Sequence, residues 1–287
     1  MIDEYWQWPE SRWTAGTVDW RQAERIYAGI DIGAVSSQAV VMCDDQLYCY
    51  ANLRTLPDSR QSAIRVLQTA LTGTGLNIEN IFSTVATGYG RRNVPFTGRI
   101  ANEVACHARG ARFMFGPSVM TVVDLGGQAH KAIKLYQWNR IRDFMANDKC
   151  ATGMGQGIEI MADLLAIPVN EMGAKSLAVA RDPEPVSTTC YAFANTEAMG
   201  LFREGYNENE VLAAYFLAIA NRLYTLTGRL QPEKEIAFTG GMAKNPGIVK
   251  RLEKLLGMSG LTSVYDPMLA GAIGAALIAG NPASESG

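Results

Sequence analysis

A short pattern that occurs twice, 93 residues apart, constrains the fold of this 287-residue chain more than any other feature. The first copy is IDIG (30–33) followed, four residues later, by QAV (38–40). The second copy is VDLG (123–126) followed at the same spacing by KAI (131–133). Each copy predicts a strand that ends in an aspartate, a tight glycine-containing turn and a returning strand. Two such copies predict two similar lobes.

Apolar patterning around the repeat predicts an α/β protein with helices packed on sheets. The opening strands form an antiparallel meander. The predicted strands are 26–33, 38–43, 47–53, 81–88, 119–127, 131–138, 235–241 and 262–265. The predicted helices are 58–71, 102–115, 156–166, 171–180, 195–204, 207–229, 246–257 and 269–280.

Composition and charge argue against several classes of binding partner and location for this chain. Hydrophobic residues make up 48% of the chain and the formal net charge is −2, so no basic surplus indicates nucleic acid or an acidic membrane as a partner. No apolar run reaches the length of about 18 residues that a transmembrane helix needs. The first residues also lack the basic and apolar regions of a signal peptide. We therefore expect a cytoplasmic globular protein.

Residues 1–25 precede the first copy as an extension that contains four of the five tryptophans. Aromatic side chains at this density bury a large apolar area when they are given a surface. The sequence leaves two interpretations open, an arm packed on its own domain and an arm that docks on another subunit.

The turn of the first copy has the chemistry of a phosphate site. Asp31 stands at a strand end, where a single carboxylate suits a hydrated Mg²⁺. Gly33 lets the backbone approach a phosphate, and the N–H groups of a tight turn bind anions. The other candidate residues of this turn are Ala34, Val35, Ser36 and Ser37. An ordinary hairpin turn is the alternative interpretation.

The turn of the second copy offers a second carboxylate, Asp124, followed by the flexible pair Gly126 and Gly127. Gln128 has the chemistry to orient an attacking water, as glutamine does in other nucleotide hydrolases. An ordinary hairpin is again the alternative.

A third segment, FTGGMAKN (238–245), reads as a strand, a double glycine and the start of a helix. Gly240 and Gly241 permit close approach of a nucleoside, and a helix N-terminus favours phosphate. Lys244 and Asn245 are the candidate binding residues that follow. The sequence contains no Walker A motif.

In this order the three segments resemble the phosphate-1, phosphate-2 and adenosine motifs of the actin/hexokinase/Hsp70-like ATPase superfamily. PMLAGAIGAALIA (267–279) is similar to its second connecting helix. The resemblance implies ribonuclease H-like duplicated lobes, with lobe I over 26–145, lobe II over 146–266 and a return to lobe I over 267–287. It also implies that ATP or ADP binds with Mg²⁺, with Asp31 and Asp124 as metal ligands. The residues that it assigns to catalysis are Asp31, Asp124 and Gln128.

A further element narrows the family. NDKCATGMG (147–155) lies where the first connecting helix is expected to begin, and Cys190 follows forty residues after Cys150. Together with GYGR (88–91), this combination resembles the BadF/BadG/BcrA/BcrD ATPase family over about residues 27–280. That family includes activators of 2-hydroxyacyl-CoA dehydratases and ATPase subunits of benzoyl-CoA reductase.

The five cysteines are odd in number and widely spaced, which does not indicate a disulfide framework. An iron–sulfur cluster usually takes four thiolates. The resemblance implies one [4Fe–4S] cluster held by Cys150 and Cys190 and shared with a homologous ATPase subunit. A structural zinc is the rival metal, but no CxxC pair supports it. We expect Cys43, Cys49 and Cys106 to be small buried hydrophobic residues.

Two departures from the family pattern bear on function. Most members carry a lysine shortly after the phosphate-1 turn, where this chain has Gln38, and the usual G-G-Q-D element ends here in Ala129. The phosphate-1 variant and the tryptophan-rich extension most resemble the smaller ATPase subunit of benzoyl-CoA reductase. Of the two histidines, His107 is expected to be structural.

The resemblance therefore implies an ATPase that takes low-potential electrons from ferredoxin and passes them to catalytic subunits that reduce an aromatic acyl-CoA. Such an enzyme is a heterotetramer of anaerobic aromatic degradation. Three alternatives stay open. They are an activator of a 2-hydroxyacyl-CoA dehydratase, a sugar or amino-sugar kinase of the same superfamily, and a non-hydrolysing subunit that only binds the cluster.

Overall fold

A computed structural model describes residues 8–136, 140–147, 154–187 and 191–281. These residues form mixed α/β structure with two sheets. The strands are β1 (Ser11–Thr14), β2 (Ile26–Ile32), β3 (Ser36–Cys43), β4 (Gln46–Arg54), β5 (Ser83–Thr87), β6 (Arg99–Ile100), β7 (Thr121–Leu125), β8 (His130–Leu135), β9 (Ile141–Ala146) and β10 (Ile236–Thr239). The helices are α1 (Ser59–Leu71), α2 (Glu103–Phe115), α3 (Met154–Leu165), α4 (Val169–Leu177), α5 (Tyr191–Arg203), α6 (Glu208–Arg229), α7 (Pro246–Leu256) and α8 (Ala270–Gly280).

The chain divides into two compact units. The first unit consists of Pro9–Val119, Leu135–Ile141 and Ser263–Gly287, and the second unit consists of Met1–Trp8, Met120–Lys134 and Arg142–Thr262. These bounds differ from the expected lobe boundary at 145/146. The phosphate-2 turn belongs to the second unit because β7, which leads into it, pairs in parallel with β10 near the adenosine motif.

The first unit contains a six-stranded sheet in the order β1-β4-β3-β2-β5-β6. Strands β1 to β4 pair antiparallel, and β5 and β6 add parallel strands beside β2. Side chains alternate along β2, so Ile30 and Ile32 pack in one core with α1 while Tyr27 packs in another with α2 and α8. Both faces of β2 are therefore covered, which explains its almost continuous apolar sequence.

The second unit contains a four-stranded sheet in the order β10-β7-β8-β9. Its core joins β7 and β10 to the helices of the later half of the chain, and Tyr215 and Phe216 of α6 are fully buried in it. A reciprocal capping box between Asn207 and Glu210 starts α6. This helix therefore begins where its sequence predicts.

Most predicted elements lie within a few residues of those observed, including the β2–β3–β4 meander. Within the described residues no strand forms at 262–265; the nearest pairing is an isolated bridge between Gly260, two residues before this range, and Ile236. The short strands β1, β6 and β9 were not predicted. No helix in the described part of the chain is long and apolar enough to cross a membrane.

Candidate functional site

The two copies of the repeat fold into hairpins with the same hydrogen-bond register. In the first unit, Asp31 of β2 lies opposite Gln38 of β3. In the second unit, Asp124 of β7 lies opposite Lys131 of β8. Each aspartate is buried near the end of its strand, one residue before the last position. The sequence repeat is therefore a structural repeat.

A third strand extends the repeat in each unit. β5 runs parallel to β2 and β10 runs parallel to β7, and each ends directly before a glycine. These residues, Gly88 and Gly240, both have φ +85°. A Cβ atom would lie 2.2 Å from Asp31 Oδ1 at Gly88 and 2.7 Å from Asp124 Oδ1 at Gly240. Only glycine supplies both the backbone conformation and the space at these positions.

Hydrogen bonds inside the first hairpin fix the phosphate-1 turn. Gly33 N–H donates to Ser36 O (3.0 Å), which closes the turn. Thr55 Oγ1 donates to Gly33 O (2.9 Å) and lies 2.7 Å from the Ser37 hydroxyl. Ser37 is fully buried beneath the turn, so its hydroxyl supports the turn from within. The half-buried candidates of the turn itself are Gly33, Ala34, Val35 and Ser36.

The residues around Asp31 come from distant parts of the first unit. A Cβ atom at Gly271 of α8 would lie 2.0 Å from Asp31 Oδ2 and 3.3 Å from His107 Nε2. α8 therefore packs its backbone against the carboxylate. Gln38 Nε2 donates to Ser36 Oγ and to Asn52 Oδ1, both at 2.8 Å. Its amide thus braces the turn and the adjacent strand.

The aspartate of the second copy is held in a buried ion pair. Lys131 Nζ lies 3.0 Å from Asp124 Oδ2, and these side chains are only 10% and 3% exposed. The equivalent position of the first copy holds the uncharged Gln38. The two copies therefore differ in the charge of the residue that lies opposite the aspartate. Gln128, in the turn between β7 and β8, is exposed.

His130 follows the phosphate-2 turn as the first residue of β8. Its side chain is buried, and neither ring nitrogen has a hydrogen-bond partner within the described residues. Burial is the main cause that lowers the pKa of His130 to about 4; Lys131 and Arg222 also lower it and Asp124 opposes them. The imidazole is consequently neutral at pH 7.

The adenosine motif continues from β10 into a 3-10 turn, Gly241–Lys244. Asn245 Oδ1 accepts a hydrogen bond from Ile248 N–H (3.2 Å) and so caps α7. Lys244 Nζ lies 5.4 Å from the ring centroid of Trp8, within cation–π range. Trp8 thus lies next to Lys244, a candidate binding residue, and the sequence did not predict this contact.

Three cysteines have the predicted structural role. Cys43, Cys49 and Cys106 are free and buried. Burial is the main cause that raises the pKa of Cys43 to about 11 and the pKa values of Cys49 and Cys106 to about 12. Cys150 and Cys190 lie outside the described residues, so their assignment as cluster ligands stays a prediction. Within the described residues, no group of three or more metal-binding side chains is present.

Sequence reasoning missed several residues of this site. Gly271 and Thr55 reach the phosphate-1 turn from distant elements, and no local pattern marks them. Gly88 was identified only as part of the family element GYGR (88–91), and its place beside Asp31 was not predicted. A signal for that place existed, because Thr-Gly stands at the end of both β5 and β10, so the repeat extends to a third strand.

Comparison with known proteins relates this geometry to a family. Residues 28–279 match the BadF/BadG/BcrA/BcrD ATPase family. The activator of lactoyl-CoA dehydratase from Anaerotignum propionicum is 37% identical over 88% of this chain and 96% of its own. A benzoyl-CoA reductase subunit from Thauera aromatica is 28% identical over 88% of this chain and 92% of its own.

This chain is also similar to a dehydratase activator of known structure. The activator of the 2-hydroxyisocaproyl-CoA dehydratase from Clostridium difficile, with bound ADPNP, superimposes with a TM-score of 0.83 at 31% identity, over 91% of this chain and 96% of that one. The expected α/β fold of the actin/hexokinase/Hsp70-like ATPases is confirmed. The chain belongs to the BadF/BadG/BcrA/BcrD ATPase family.

Proposed function

We propose that this chain is an ATP-hydrolysing activator that delivers electrons to a partner enzyme acting on an acyl-CoA thioester. The observation that carries the proposal is the duplicated arrangement of hairpin, buried aspartate and glycine-ended parallel strand, in a chain that matches an ATPase family from residue 28 to residue 279. A tight turn next to a strand-end carboxylate binds phosphate and a hydrated metal ion together.

The residues of the two hairpins have distinct roles in this proposal. Asp31 fits a Mg²⁺ ligand, because it is a buried carboxylate near a strand end, next to the phosphate-1 turn. Asp124 shares this role with its charge partly balanced by Lys131. Backbone N–H groups of both turns bind phosphate, and the exposed Gln128 orients the attacking water. Gly240, Gly241 and Lys244 bind the nucleoside part.

The proposed [4Fe–4S] cluster fits the cysteines that remain. Cys43, Cys49 and Cys106 are buried and keep their protons, which leaves two candidate thiolates in the chain. α5 begins directly after Cys190, and the start of a helix favours a thiolate. Two thiolates are half of the usual four, so a homologous ATPase chain would supply the rest. When bound, the cluster supplies one-electron transfer, with ferredoxin as the proposed donor.

The partner that the comparisons favour is a 2-hydroxyacyl-CoA dehydratase. The lactoyl-CoA dehydratase activator is 37% identical and matches this chain over 96% of its own length. The activator with bound ADPNP superimposes over nearly the whole chain. Identity and coverage thus both favour a dehydratase partner over the type suggested by the benzoyl-CoA reductase relative at 28%.

A benzoyl-CoA reductase type of partner is the second candidate. Two features of the chain favour it, the Gln38 variant of the phosphate-1 hairpin and a tryptophan-rich arm that precedes the matched residues 28–279. In that case the chain is an ATPase subunit paired with a homologous subunit and with catalytic subunits that reduce an aromatic ring.

To test this proposal, the chain is purified under anaerobic conditions, and its iron content, acid-labile sulfide and MgATP hydrolysis are measured. We expect Cys150→Ala and Cys190→Ala to lose iron and Cys43→Ala, at a buried and protonated thiol, to keep it. Full iron content in both of the first two variants would overturn the ligand assignment. Absence of ATP hydrolysis in the wild type would overturn the activator function.

The partner is identified by adding the reduced, ATP-supplied protein separately to each candidate catalytic component. Dehydration of a 2-hydroxyacyl-CoA supports the first candidate and excludes the second for this chain. Reduction of a benzoyl-CoA ring in the other assay gives the opposite result.

A further inference from the structure

One aromatic side chain of the N-terminal arm reaches the adenosine motif. Trp8 belongs to the second unit, whereas residues 9–25 of the arm belong to the first. Lys244 Nζ lies over its ring, 5.4 Å from the ring centroid. Trp8 precedes residues 28–279, which match the ATPase family, so this aromatic side chain lies outside the matched part of the chain.

The backbone on both sides of Lys244 is fixed. Ala243 N–H donates to Gly240 O (3.2 Å). Asn245 N–H donates to Met242 O (3.0 Å), and both of these side chains are buried. The position of the Lys244 ammonium group therefore depends on its side chain, which has a large rotamer entropy and samples many rotamers unless its neighbours restrain it.

The Trp8 ring is itself anchored. It is half-buried and packs, as Ala243 does, against the hydrophobic core of the second unit. The face of an indole ring carries a negative partial charge, which attracts an ammonium group above it. Such a contact is typically worth about 2- to 30-fold in an equilibrium constant. The anchored ring therefore restrains the Lys244 side chain.

We propose that Trp8 is a positioning residue for nucleotide binding, because its ring holds the Lys244 ammonium group in place for the nucleoside. This role rests on the proposed function, which assigns Lys244 to the nucleoside part of ATP or ADP. The turn that carries Lys244 starts at Gly240, whose backbone packs against Asp124 of the phosphate-2 hairpin. A lysine that is already restrained loses less conformational freedom when it binds the nucleotide, so the ring strengthens binding.

To test this role, the dissociation constant of MgADP is measured by titration calorimetry with the full-length protein. Trp8→Leu keeps an apolar side chain but removes the π face, so we expect the dissociation constant to rise at least about threefold. Trp8→Phe keeps a π face and should stay within about twofold of the wild type. In a Lys244→Met background, Trp8→Leu should cause no further rise, because the ring then has no ammonium group to hold.

Trp13→Leu is the matched control. It changes a second tryptophan of the same arm, which stacks on Tyr50 and belongs to the first unit, so the dissociation constant should stay at the wild-type value.

Tryptophan fluorescence at saturating MgADP gives a second measurement, which decides if Trp8→Leu does not fold. We expect the nucleotide to change the emission of the wild type and of Trp13→Phe. The emission of Trp8→Phe and of Lys244→Met should stay unchanged, since each variant lacks one partner of the contact.

The outcomes separate the two claims. A wild type that does not bind MgADP contradicts the proposed function. A wild type that binds MgADP, with the same dissociation constant in Trp8→Leu, overturns the role of Trp8. The same conclusion follows if Trp8→Leu weakens binding as much in the Lys244→Met background as in the wild type.

Discussion

Lys131 and Gln38 occupy the same register position in the two hairpins and give the two aspartates different surroundings. The Lys131–Asp124 pair is almost completely buried, so removal of one partner takes an ion pair away from a buried charge. Gln38 instead completes a neutral network with Ser36 and Asn52. The residue opposite the aspartate, an ion-paired lysine in one copy and a hydrogen-bonded glutamine in the other, is thus the residue-level difference between the copies.

Lys131→Met is predicted to lower the free energy of unfolding by about 3–5 kcal/mol, because the buried Asp124 carboxylate loses the ammonium group 3.0 Å away. Gln38→Met removes only neutral hydrogen bonds and costs about 1–3 kcal/mol. Lys175→Met, which breaks an exposed pair with Glu208, serves as the control and leaves stability unchanged. Urea unfolding measures all three. Equal stability of Lys131→Met and Lys175→Met would contradict the prediction.

The free energy of unfolding is predicted to depend on pH through His130. Its pKa of about 4 in the folded protein lies below the ordinary value of 6.5, so the unfolded chain takes up a proton first. The associated stability is fully present above pH 6.5 and declines as the pH falls towards 4, by up to about 3 kcal/mol. Subtracting the unfolding free energy of His130→Gln from that of wild type across this range isolates the contribution of His130.

The control is Gln68→Ala, at an exposed and uncharged side chain of α1. It is expected to keep the wild-type slope between pH 6.5 and pH 4 that His130→Gln loses. A wild-type slope in His130→Gln would show that His130 is not the group responsible.

Among the secondary-structure elements, the sequence predicts those helices and strands that bury an apolar face, because burial requires a regular apolar pattern. α6 combines a buried face with a capping box, and β2 is apolar on both faces, so both were predicted. β1 and β9 are largely exposed and lack such a pattern. They are edge strands of their sheets, held by backbone pairing, which the sequence does not reveal.

Some residues of the candidate site could be predicted from the sequence and others could not. The aspartates and turn glycines follow from local pattern, because each hairpin is continuous in sequence. The approach of Gly271 to Asp31 and the contact of Trp8 with Lys244 join residues more than 200 positions apart. Only tertiary packing creates these contacts, so no local pattern predicts them.

Residues 9–25 of the N-terminal arm belong to the first unit and pack on it through several contacts. β1 pairs with β4, Trp13 stacks on Tyr50 with ring centroids 6.0 Å apart, and Glu10 forms an ion pair with Arg65. Trp13 nevertheless remains 44% exposed. These contacts support the self-packed interpretation for this part of the arm, and docking on another subunit stays a prediction.

Removal of residues 1–16 is predicted to expose the edge of β4 to other chains. We expect the melting temperature to fall by several degrees, roughly 2–4 °C per kcal/mol lost, and self-association to increase. Scanning calorimetry and light scattering measure the two effects. Trp13→Ala, which keeps the backbone pairing of β1, is the control and should not self-associate. An unchanged melting temperature and scattering signal in the truncated protein would contradict a protective role of β1.

For the molecule as a whole, nucleotide binding is linked to stability. MgADP at about 100 times its dissociation constant is predicted to raise the free energy of unfolding by about 2.7 kcal/mol. Asp31→Asn should lose most of this increase because it removes the proposed metal ligand. Asp45→Asn, an exposed aspartate in the turn between β3 and β4, should keep it. Thermal unfolding with and without MgADP tests this, and an equal increase in both variants would argue against Asp31.

Because three of the five cysteines are buried and protonated, a thiol-reactive label is expected to select the other two, Cys150 and Cys190. With pKa values from about 11 to about 12, the thiols of Cys43, Cys49 and Cys106 are almost entirely unreactive at pH 8. Brief alkylation of the folded, iron-free protein should therefore add at most two adducts by mass spectrometry. A fluorophore or spin label attached in this way would report on Cys150 and Cys190 without substitution of any other cysteine.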